Sequence, residues 1–201
     1  MIVAAAMNPE AWGDRSDPVA RLRRGDPDAL TAAILRYQHR LFRYLVRVVQ
    51  DPVTAEDLFQ QTWLLVLEKI GRYDARRSFE PWLFSVAHNL AIDFLRRRRG
   101  ESLDWDNDSG ALAGDRFASP GPDALERLLD FERMSLLAAC LGELPAIHRE
   151  VLTLRFEEGM KLEEIADVSG VPLSTVKSRL QRALEGLRIR LQARYTGGRG
   201  T

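Results

Sequence analysis

The feature that most constrains the fold is a pair of helical patterns separated by a glycine in the C-terminal part of the chain. Residues 161–169 have the apolar spacing of a short helix, Gly170 interrupts it, and residues 171–184 have the spacing of a longer helix. Two helices joined by a short turn that contains glycine are typical of the helix-turn-helix motif, whose second helix enters the major groove of DNA. The pattern therefore indicates a chain that acts through contacts with DNA rather than through catalysis.

The second of these helices has one apolar side and one polar side when ~100° of rotation is assigned to each residue. The apolar stripe consists of Val176, Leu180, Ala183, Leu184 and Leu187. The opposite side carries Ser174, Ser178, Gln181, Arg182 and Glu185. Arginine matches the acceptors of guanine and glutamine matches adenine, so this side suits base edges. Lys177 and Arg179 flank the stripe and suit phosphates, to which the helix start at Ser174 or Thr175 would add backbone amides. An ordinary solvated surface helix is the alternative for this helix taken alone.

Helical periodicity also covers most of the remaining chain, and no strand pattern competes with it. Asp26 and Pro27 predict the start of a helix that ends near Gln50. Further helices are predicted over residues 53–70, 80–99, 122–141 and 145–154. The sequence therefore predicts an all-α chain of two small helical domains. The parts are a flexible segment at residues 1–25, a domain at 26–99, a flexible acidic linker at 100–122 and a second domain at 123–195, which carries the helix-turn-helix.

The charges are distributed unevenly along the chain, although the formal net charge is zero. Residues 171–201 contain seven basic residues and one acid, a net charge of +6. Residues 100–132 contain nine acids and two arginines, a net charge of −7. Local fields act on partners within a Debye length, about 10 Å. The C-terminal part therefore favours an anionic partner that the overall charge does not indicate.

Several classes of protein are disfavoured by the composition. Cys140 is the single cysteine, so an intrachain disulfide is excluded, which fits a reducing compartment. No apolar run approaches the roughly 18 residues that span a bilayer, so we expect a soluble, cytoplasmic protein. His39, His88 and His148 lack the spacing of metal ligands, and no glycine-rich phosphate motif is present. We expect neither enzyme activity nor a metal or cofactor.

Two blocks of motifs carry a resemblance to a known family. The first block comprises residues 51–61 and 79–96, and the second comprises residues 144–155, 164–166, 170–172 and 175–179. In this order and spacing they resemble the second and fourth domains of extracytoplasmic-function (ECF, group 4) RNA polymerase sigma factors of the sigma-70 family. The resemblance covers about residues 26–191.

This resemblance implies a bacterial promoter-specificity subunit that binds the β′ and β subunits of core RNA polymerase. Such a protein would read the −35 element with the helix-turn-helix and open the −10 element with the N-terminal domain. The resemblance also implies an anti-sigma factor as regulator and the absence of a third sigma domain. It further implies a linker in a cationic polymerase channel, which Asp104, Asp106 and Asp108 suit. The alternative is a two-domain helix-turn-helix transcription regulator without a role as a polymerase subunit.

Three groups of functional residues follow from the resemblance. For the −35 element they are Ser174, Thr175, Lys177, Ser178, Gln181 and Arg182, to which the helical pattern adds Arg179. For the −10 element they are Tyr73, Arg76, Arg77, Phe79, Trp82, His88, Asn89, Asp93, Arg96, Arg97, Arg98 and Arg99. For polymerase binding they are Glu56, Asp57, Leu58, Gln60 and Gln61. Opening DNA requires a held base and a held strand, which aromatic and basic residues suit. Three alternatives stay open: Trp82 packs in the core, the four consecutive arginines form a solvated helix end favoured by the helix dipole, and the acidic linker is a solubilising flexible tether.

Overall fold

The computed structural model describes residues 18–74, 77–98 and 124–197. In these ranges the chain forms eight α-helices and no β-strand. The helices are α1 (Pro18–Arg23), α2 (Pro27–Val49), α3 (Pro52–Lys69), α4 (Phe79–Arg98), α5 (Ala124–Gly142), α6 (Ala146–Leu152), α7 (Leu162–Ser169) and α8 (Leu173–Gly197). The predicted all-α fold is therefore confirmed, with α1–α4 in an N-terminal half and α5–α8 in a C-terminal half. None of the described helices is long and apolar enough to cross a membrane.

Some of the predictions fall on residues that the structure does not describe. The linker at residues 100–122, Arg76 and Arg99 lie outside the described ranges. The domain boundaries stay a prediction.

Aspartate caps determine where α2 and α3 begin. The Asp26 carboxylate accepts a hydrogen bond from the backbone N–H of Asp28 at 3.0 Å. α2 ends at Gln50, whose backbone is left-handed with φ 58°. The Asp51 carboxylate then accepts from the backbone N–H of Thr54 at 3.1 Å and starts α3. Because each such cap contributes ~1 kcal/mol, local sequence alone is enough to define these helix ends.

The first described residues differ from the flexible segment that was predicted for residues 1–25. Pro18–Arg23 forms α1, and Leu22 is only 2% exposed. The Nε atom of Arg21 donates to the Asp26 carboxylate at 2.7 Å, which ties α1 to the cap of α2. The prediction is wrong for residues 18–23 because one buried leucine anchors a helix that is too short to have a distinct periodic pattern.

The core of the N-terminal half lies between α2 and α4. Leu41, Leu45 and Val48 are fully buried along one face of α2. Tyr44 and Phe84 are also fully buried, and their ring centroids are 5.2 Å apart in an edge-on contact. Burial of each large apolar side chain contributes about 1.5–3 kcal/mol. This core holds α4 firmly against α2.

The helix-turn-helix consists of α7, the turn at Gly170 and α8. Gly170 has φ 64°, a left-handed conformation that glycine adopts without steric cost. Val176 and Ala183 of the predicted apolar stripe are 1% and 0% exposed. Leu184 is 44% exposed, so the stripe is narrower than predicted. The motif is confirmed, with one member of its predicted core at the surface.

A π-helical segment, Thr153–Glu157, continues α6. The backbone N–H of Glu158 donates to the Thr153 carbonyl at 3.0 Å, which closes this wider turn. Such turns are rare and occur mostly at functional sites. Here the segment brings Glu157 and Glu158 against α2.

The two halves pack directly against each other. α4 lies against α7, and α2 lies against α6. Buried apolar side chains from both halves form one continuous core. The sequence predicts the two groups of helices but not this contact between them.

Candidate nucleic-acid interface

The first turns of α8 present most of the residues that are predicted to read the −35 element. The exposed ones are Ser174, Lys177, Ser178, Gln181 and Arg182, and Thr175 is half-buried. The Ser178 hydroxyl donates to the Thr175 carbonyl at 2.9 Å, which leaves its oxygen free to accept from another group. One accessible helix face therefore carries hydroxyl, amide, ammonium and guanidinium groups, which are able to bind base edges and phosphates.

Arg179 has different surroundings from the other predicted −35 residues. It is half-buried and lines a small cleft inside the C-terminal half together with Glu150 and Ile165. Its guanidinium helps to stabilise the charged form of Glu150. The structure thus gives Arg179 an internal electrostatic partner, and its contact with a phosphate stays a prediction.

Three residues predicted for the −10 element form an aromatic cluster at the start of α4: Tyr73 precedes the helix, and Phe79 and Trp82 lie in its first turns. The ring centroids of Tyr73 and Trp82 are 4.8 Å apart, and those of Phe79 and Trp82 are 5.6 Å apart. Tyr73 is 5% exposed, and its hydroxyl donates to the carbonyl of Arg77. Trp82 is half-buried and packs against the core, as its alternative interpretation predicts. The cluster joins Tyr73 to the start of α4, and Arg77, which precedes α4, is exposed.

The predicted −10 residues in the middle of α4 divide between surface and interior. Asn89 and Asp93 are exposed. His88 is 7% exposed, and its Nδ1 atom lies 2.5 Å from Oε1 of Glu150 in α6. The Tyr44 hydroxyl donates to the same carboxylate oxygen at 2.6 Å. The C-terminal half therefore covers His88 and closes it to a DNA strand.

The electrostatics of this buried cluster favour a charged pair. Burial alone would lower the pKa of His88, but the attraction and hydrogen bond of Glu150 outweigh it and raise that pKa. Burial alone would raise the pKa of Glu150, but His88, Tyr44 and Arg179 together hold it below its usual value. Burial next to this carboxylate raises the pKa of Tyr44 well above its usual value. The three shifts thus favour an imidazolium, a carboxylate and a neutral phenol in this cluster.

The basic end of α4 is exposed to solvent. Arg96, Arg97 and Arg98 are all exposed. The Arg96 guanidinium lies 3.3 Å from the Asp93 carboxylate, and the Nε atom of Arg97 donates to the Asp93 carbonyl at 3.2 Å. These contacts stabilise the last turn, as the solvated-end alternative predicts. Each guanidinium has five donors, so donors are left for phosphates as well.

The predicted polymerase-binding residues lie on α3. Those exposed on its surface are Glu56, Asp57, Gln60 and Gln61. Leu58 differs from them, because it is 4% exposed and belongs to the core. Leu64 is 67% exposed, seven residues after Asp57 and on the same helix face. Leu64 was not among the predicted residues, although an exposed apolar residue within a polar helix face is a sequence signal for a contact surface.

Polar residues that the sequence does not mark hold the halves together. Arg149 in α6 is 2% exposed, and its guanidinium donates to four backbone carbonyls. Two of them, at 3.0 Å each, belong to Arg47 and Val48 at the end of α2, and two belong to Gly142 and Leu144 in the C-terminal half. The Gln50 side-chain amide also donates to the Gly142 carbonyl at 2.7 Å. An arginine on a short helix is usually solvated, so only the folded arrangement reveals this role.

Comparison with known proteins identifies the family. The sequence model of Sigma-70 region 2 matches residues 33–101, and that of Sigma-70, region 4 matches residues 134–187. The RNA polymerase sigma-H factor of Pseudomonas aeruginosa is 32% identical over 87% of this chain and 92% of its own length. The RNA polymerase sigma factor CarQ of Myxococcus xanthus is 35% identical over 84% of this chain and 92% of its own length. The ECF RNA polymerase sigma factor SigL of Mycobacterium tuberculosis is 35% identical over 76% of this chain and 82% of its own length. The chain belongs to the ECF group of the sigma-70 family of RNA polymerase sigma factors.

Two solved structures share the fold. CnrH, in complex with the cytosolic domain of CnrY, has a TM-score of 0.63 and 24% identity over 88% of this chain and 96% of that chain. RpoE, in complex with the anti-sigma factor NepR from Bartonella quintana, has a TM-score of 0.63 and 24% identity over 81% of this chain and 96% of that chain. Their likeness supports the same all-helical architecture.

Proposed function

We propose that this chain binds core RNA polymerase and directs it to specific promoters. The observation that carries the proposal is the presence of two helices, α4 and α8, that both offer DNA-suited side chains at the surface. Each of them lies in one of the two matched sigma-70 regions. A regulator that only binds an operator has no need of the first region, so the alternative of a plain helix-turn-helix regulator is not favoured.

The two halves divide promoter recognition in this proposal. The exposed face of α8, with Gln181 and Arg182, reads the −35 element. α4 and the loop before it, with Asn89 and the aromatic cluster, open and hold the −10 element. The polar face of α3 binds the β′ subunit.

Promoter binding by both halves requires them to separate. The −35 and −10 elements are ~25 base pairs apart, which corresponds to ~85 Å at about 3.4 Å per base pair. A compact body of ~150 residues has a radius of gyration of about 15 Å. Packed halves are therefore too close together to contact both elements. The cluster of His88, Glu150 and Tyr44 is broken in the polymerase-bound state.

We also propose an anti-sigma partner and a cytoplasmic location. CnrH is in complex with a cytosolic domain and RpoE with an anti-sigma factor. A partner that binds the packed arrangement better than the separated one shifts the chain toward it. His88 would stay covered in that complex, and initiation would be blocked.

Run-off transcription tests the proposed function. Core RNA polymerase free of any sigma factor is used first to select genomic fragments in the presence of the chain, and then to transcribe them. Discrete transcripts that depend on the chain are expected. Fragments that are bound but never transcribed would instead identify a regulator without a role as a polymerase subunit.

Replacing Arg182 with alanine is expected to weaken binding at the −35 element by ~1–3 kcal/mol and to relax sequence preference there. The reason is the loss of a bidentate guanidinium contact to a base. Equilibrium binding of holoenzyme to promoters with altered −35 sequences measures both effects. Arg188→Ala is the matched control, because Arg188 is an exposed arginine of the same helix that lies 3.8 Å from Glu185. An unchanged sequence preference in Arg182→Ala would rule out the role in base recognition.

Replacing Arg96, Arg97, Arg98 and Arg99 together with alanine is expected to reduce affinity for all promoters and to flatten its salt dependence. Each lost phosphate contact lowers the slope of log K against log salt by about 0.9 on duplex DNA. Binding of holoenzyme across a salt titration measures the slope. A slope equal to that of the unaltered protein would leave the solvated helix end as the only role of these arginines.

A further inference from the structure

Three arginines form a basic face on α2. Arg40, Arg43 and Arg47 follow one another at intervals of three and four residues, so they lie on one side of the helix. All three are partly buried, with 31%, 35% and 29% of their side chains exposed. We call these three residues the arginine face. It was not among the predicted functional residues.

Carboxylates of the C-terminal half occupy the arginine face. Glu157 lies 3.4 Å from Arg43 and 3.3 Å from Arg47. Glu158, whose side chain is fully buried, lies 2.7 Å from Arg40 and 3.4 Å from Arg43. Both acids belong to the π-helical segment or follow it directly. Two acids of the same chain thus neutralise the arginine face. They belong to the C-terminal half, which must move away when a promoter is bound.

Glu157 and Glu158 do not provide hydrogen-bond acceptors for all donors of the arginine face. The Nε atoms of Arg43 and Arg47 are buried and have no hydrogen-bond partner, although Glu157 lies within ion-pair distance of each. A buried donor without a partner costs ~1–3 kcal/mol. Arg40 differs, because it also has a bidentate contact with Glu80 of the N-terminal half, at 2.5 and 3.1 Å. Separation of the halves would leave Arg43 and Arg47 without either acid, with donors ready for a better acceptor.

The arginine face adjoins the part of α4 that is proposed to bind DNA. Tyr44 is the residue after Arg43 in the sequence. Its hydroxyl donates to the Glu150 carboxylate, which also contacts His88. Removal of the C-terminal half would therefore expose His88 and the arginine face together. The face extends over ~10 Å along α2 at 1.5 Å per residue. That length corresponds to about three phosphates of one strand at 3.4 Å each.

We propose that the arginine face binds backbone phosphates of promoter DNA, and that Glu157 and Glu158 occupy it in the packed arrangement. This inference rests on the proposed function, because it takes the DNA to be a promoter. It adds α2 to the DNA-binding surface of the N-terminal half. It also makes DNA and the C-terminal acids competitors for the same guanidinium groups.

Two variants test the proposal. They remove opposite partners of the same ion pairs. Glu157→Gln removes the acid, and R43Q/R47Q removes the bases. Both weaken the contact between the halves, so both expose the N-terminal half more often. Binding of the full chain, free and with core RNA polymerase, to a duplex promoter fragment is measured across a salt titration.

The proposal requires opposite results from the two variants. Glu157→Gln in the free chain is expected to raise DNA affinity roughly two- to thirtyfold, the effect of losing its two partly exposed ion pairs with Arg43 and Arg47. R43Q/R47Q is expected to lower affinity and to reduce the salt slope by about 1.8, which corresponds to two phosphate contacts. R43K/R47K keeps both charges and is expected to keep most of the slope, which separates a loss of phosphate contacts from a loss of folding.

Three outcomes would overturn the proposal. If R43Q/R47Q raises DNA affinity as Glu157→Gln does, the arginines only hold the halves together. If R43Q/R47Q weakens binding to core polymerase and leaves the salt slope for DNA unchanged, the face binds protein instead. If R43Q/R47Q and the unaltered protein have equal slopes and affinities, the face has no external partner. Failure of the proposed function is distinguishable, because the unaltered protein would then support no run-off transcription at all.

Discussion

Replacing Arg149 with alanine is expected to lower the free energy of unfolding by about 3–5 kcal/mol. The substitution removes a donor from four backbone carbonyls. The Gly142 carbonyl keeps the Gln50 amide as a donor, and each of the other three loses a contact that costs ~1–3 kcal/mol when a buried polar group is left without a partner. Water entering the space compensates part of that sum. Urea denaturation of the full chain measures the change. Two of the carbonyls belong to α2, so small-angle X-ray scattering is expected to show a larger radius of gyration as well.

Arg155→Ala is the matched control for this experiment. Arg155 is an exposed arginine close in sequence, and its guanidinium donates to the Met160 carbonyl at 2.8 Å. Its loss is expected to cost about 1 kcal/mol or less. If Arg149→Ala were no more destabilising than Arg155→Ala, the guanidinium of Arg149 would not be holding the halves together.

Replacing Glu150 with alanine is expected to destabilise the packed arrangement by a similar amount, about 3–5 kcal/mol. Removal of one member of a buried ion pair leaves the other charge without compensation, and here the Tyr44 hydroxyl also loses its acceptor. Glu143→Ala is the control, because Glu143 forms its ion pairs with Arg190 and Arg194 at the surface. Denaturation of both variants next to the unaltered protein gives the two costs. Equal costs would contradict the buried role of Glu150.

The same cluster predicts how stability depends on pH. The pKa of His88 is raised on folding, so its contribution is fully present below the ordinary value of about 6.5 and is lost as the pH rises through the folded pKa. The pKa of Glu150 is lowered on folding, so its contribution is present above the ordinary value of 4.5 and is lost as the pH falls through the folded pKa. The free energy of unfolding is therefore expected to fall above neutral pH. In Glu150→Ala the burial that lowers the pKa of His88 is no longer outweighed, so this fall in stability is expected to disappear or to reverse. An unchanged pH profile would show that His88 is not its source.

Local signals were sufficient to predict the described helices other than α1. Asp26 and Asp51 are caps that act within three residues, and Gly170 adopts the left-handed turn that its position between two periodic patterns indicates. These effects depend on neighbours in the sequence, so they are visible there. The exposed face of α8 follows from helical periodicity for the same reason, apart from Leu184.

The contact between the halves was not predictable in the same way. Arg43, Arg149 and Glu157 are residue types that usually lie on solvated helix surfaces. The partners that they contact in the opposite half are about a hundred residues away in the sequence. His88 was predicted to face DNA, and the structure buries it against a glutamate that no local pattern connects to it. Only the tertiary arrangement gives these charges their partners.

Residues 149–158 have two structural roles. Arg149, Glu150, Glu157 and Glu158 all lie within residues 149–158, which lead into the helix-turn-helix and also hold it against the N-terminal half. A substitution here therefore has two effects at once. It changes how readily the two halves separate, and it changes the packing that holds α8 in place. Selection for easier separation of the halves would act most freely on Tyr44, which contacts this stretch from α2 and has no proposed contact with DNA.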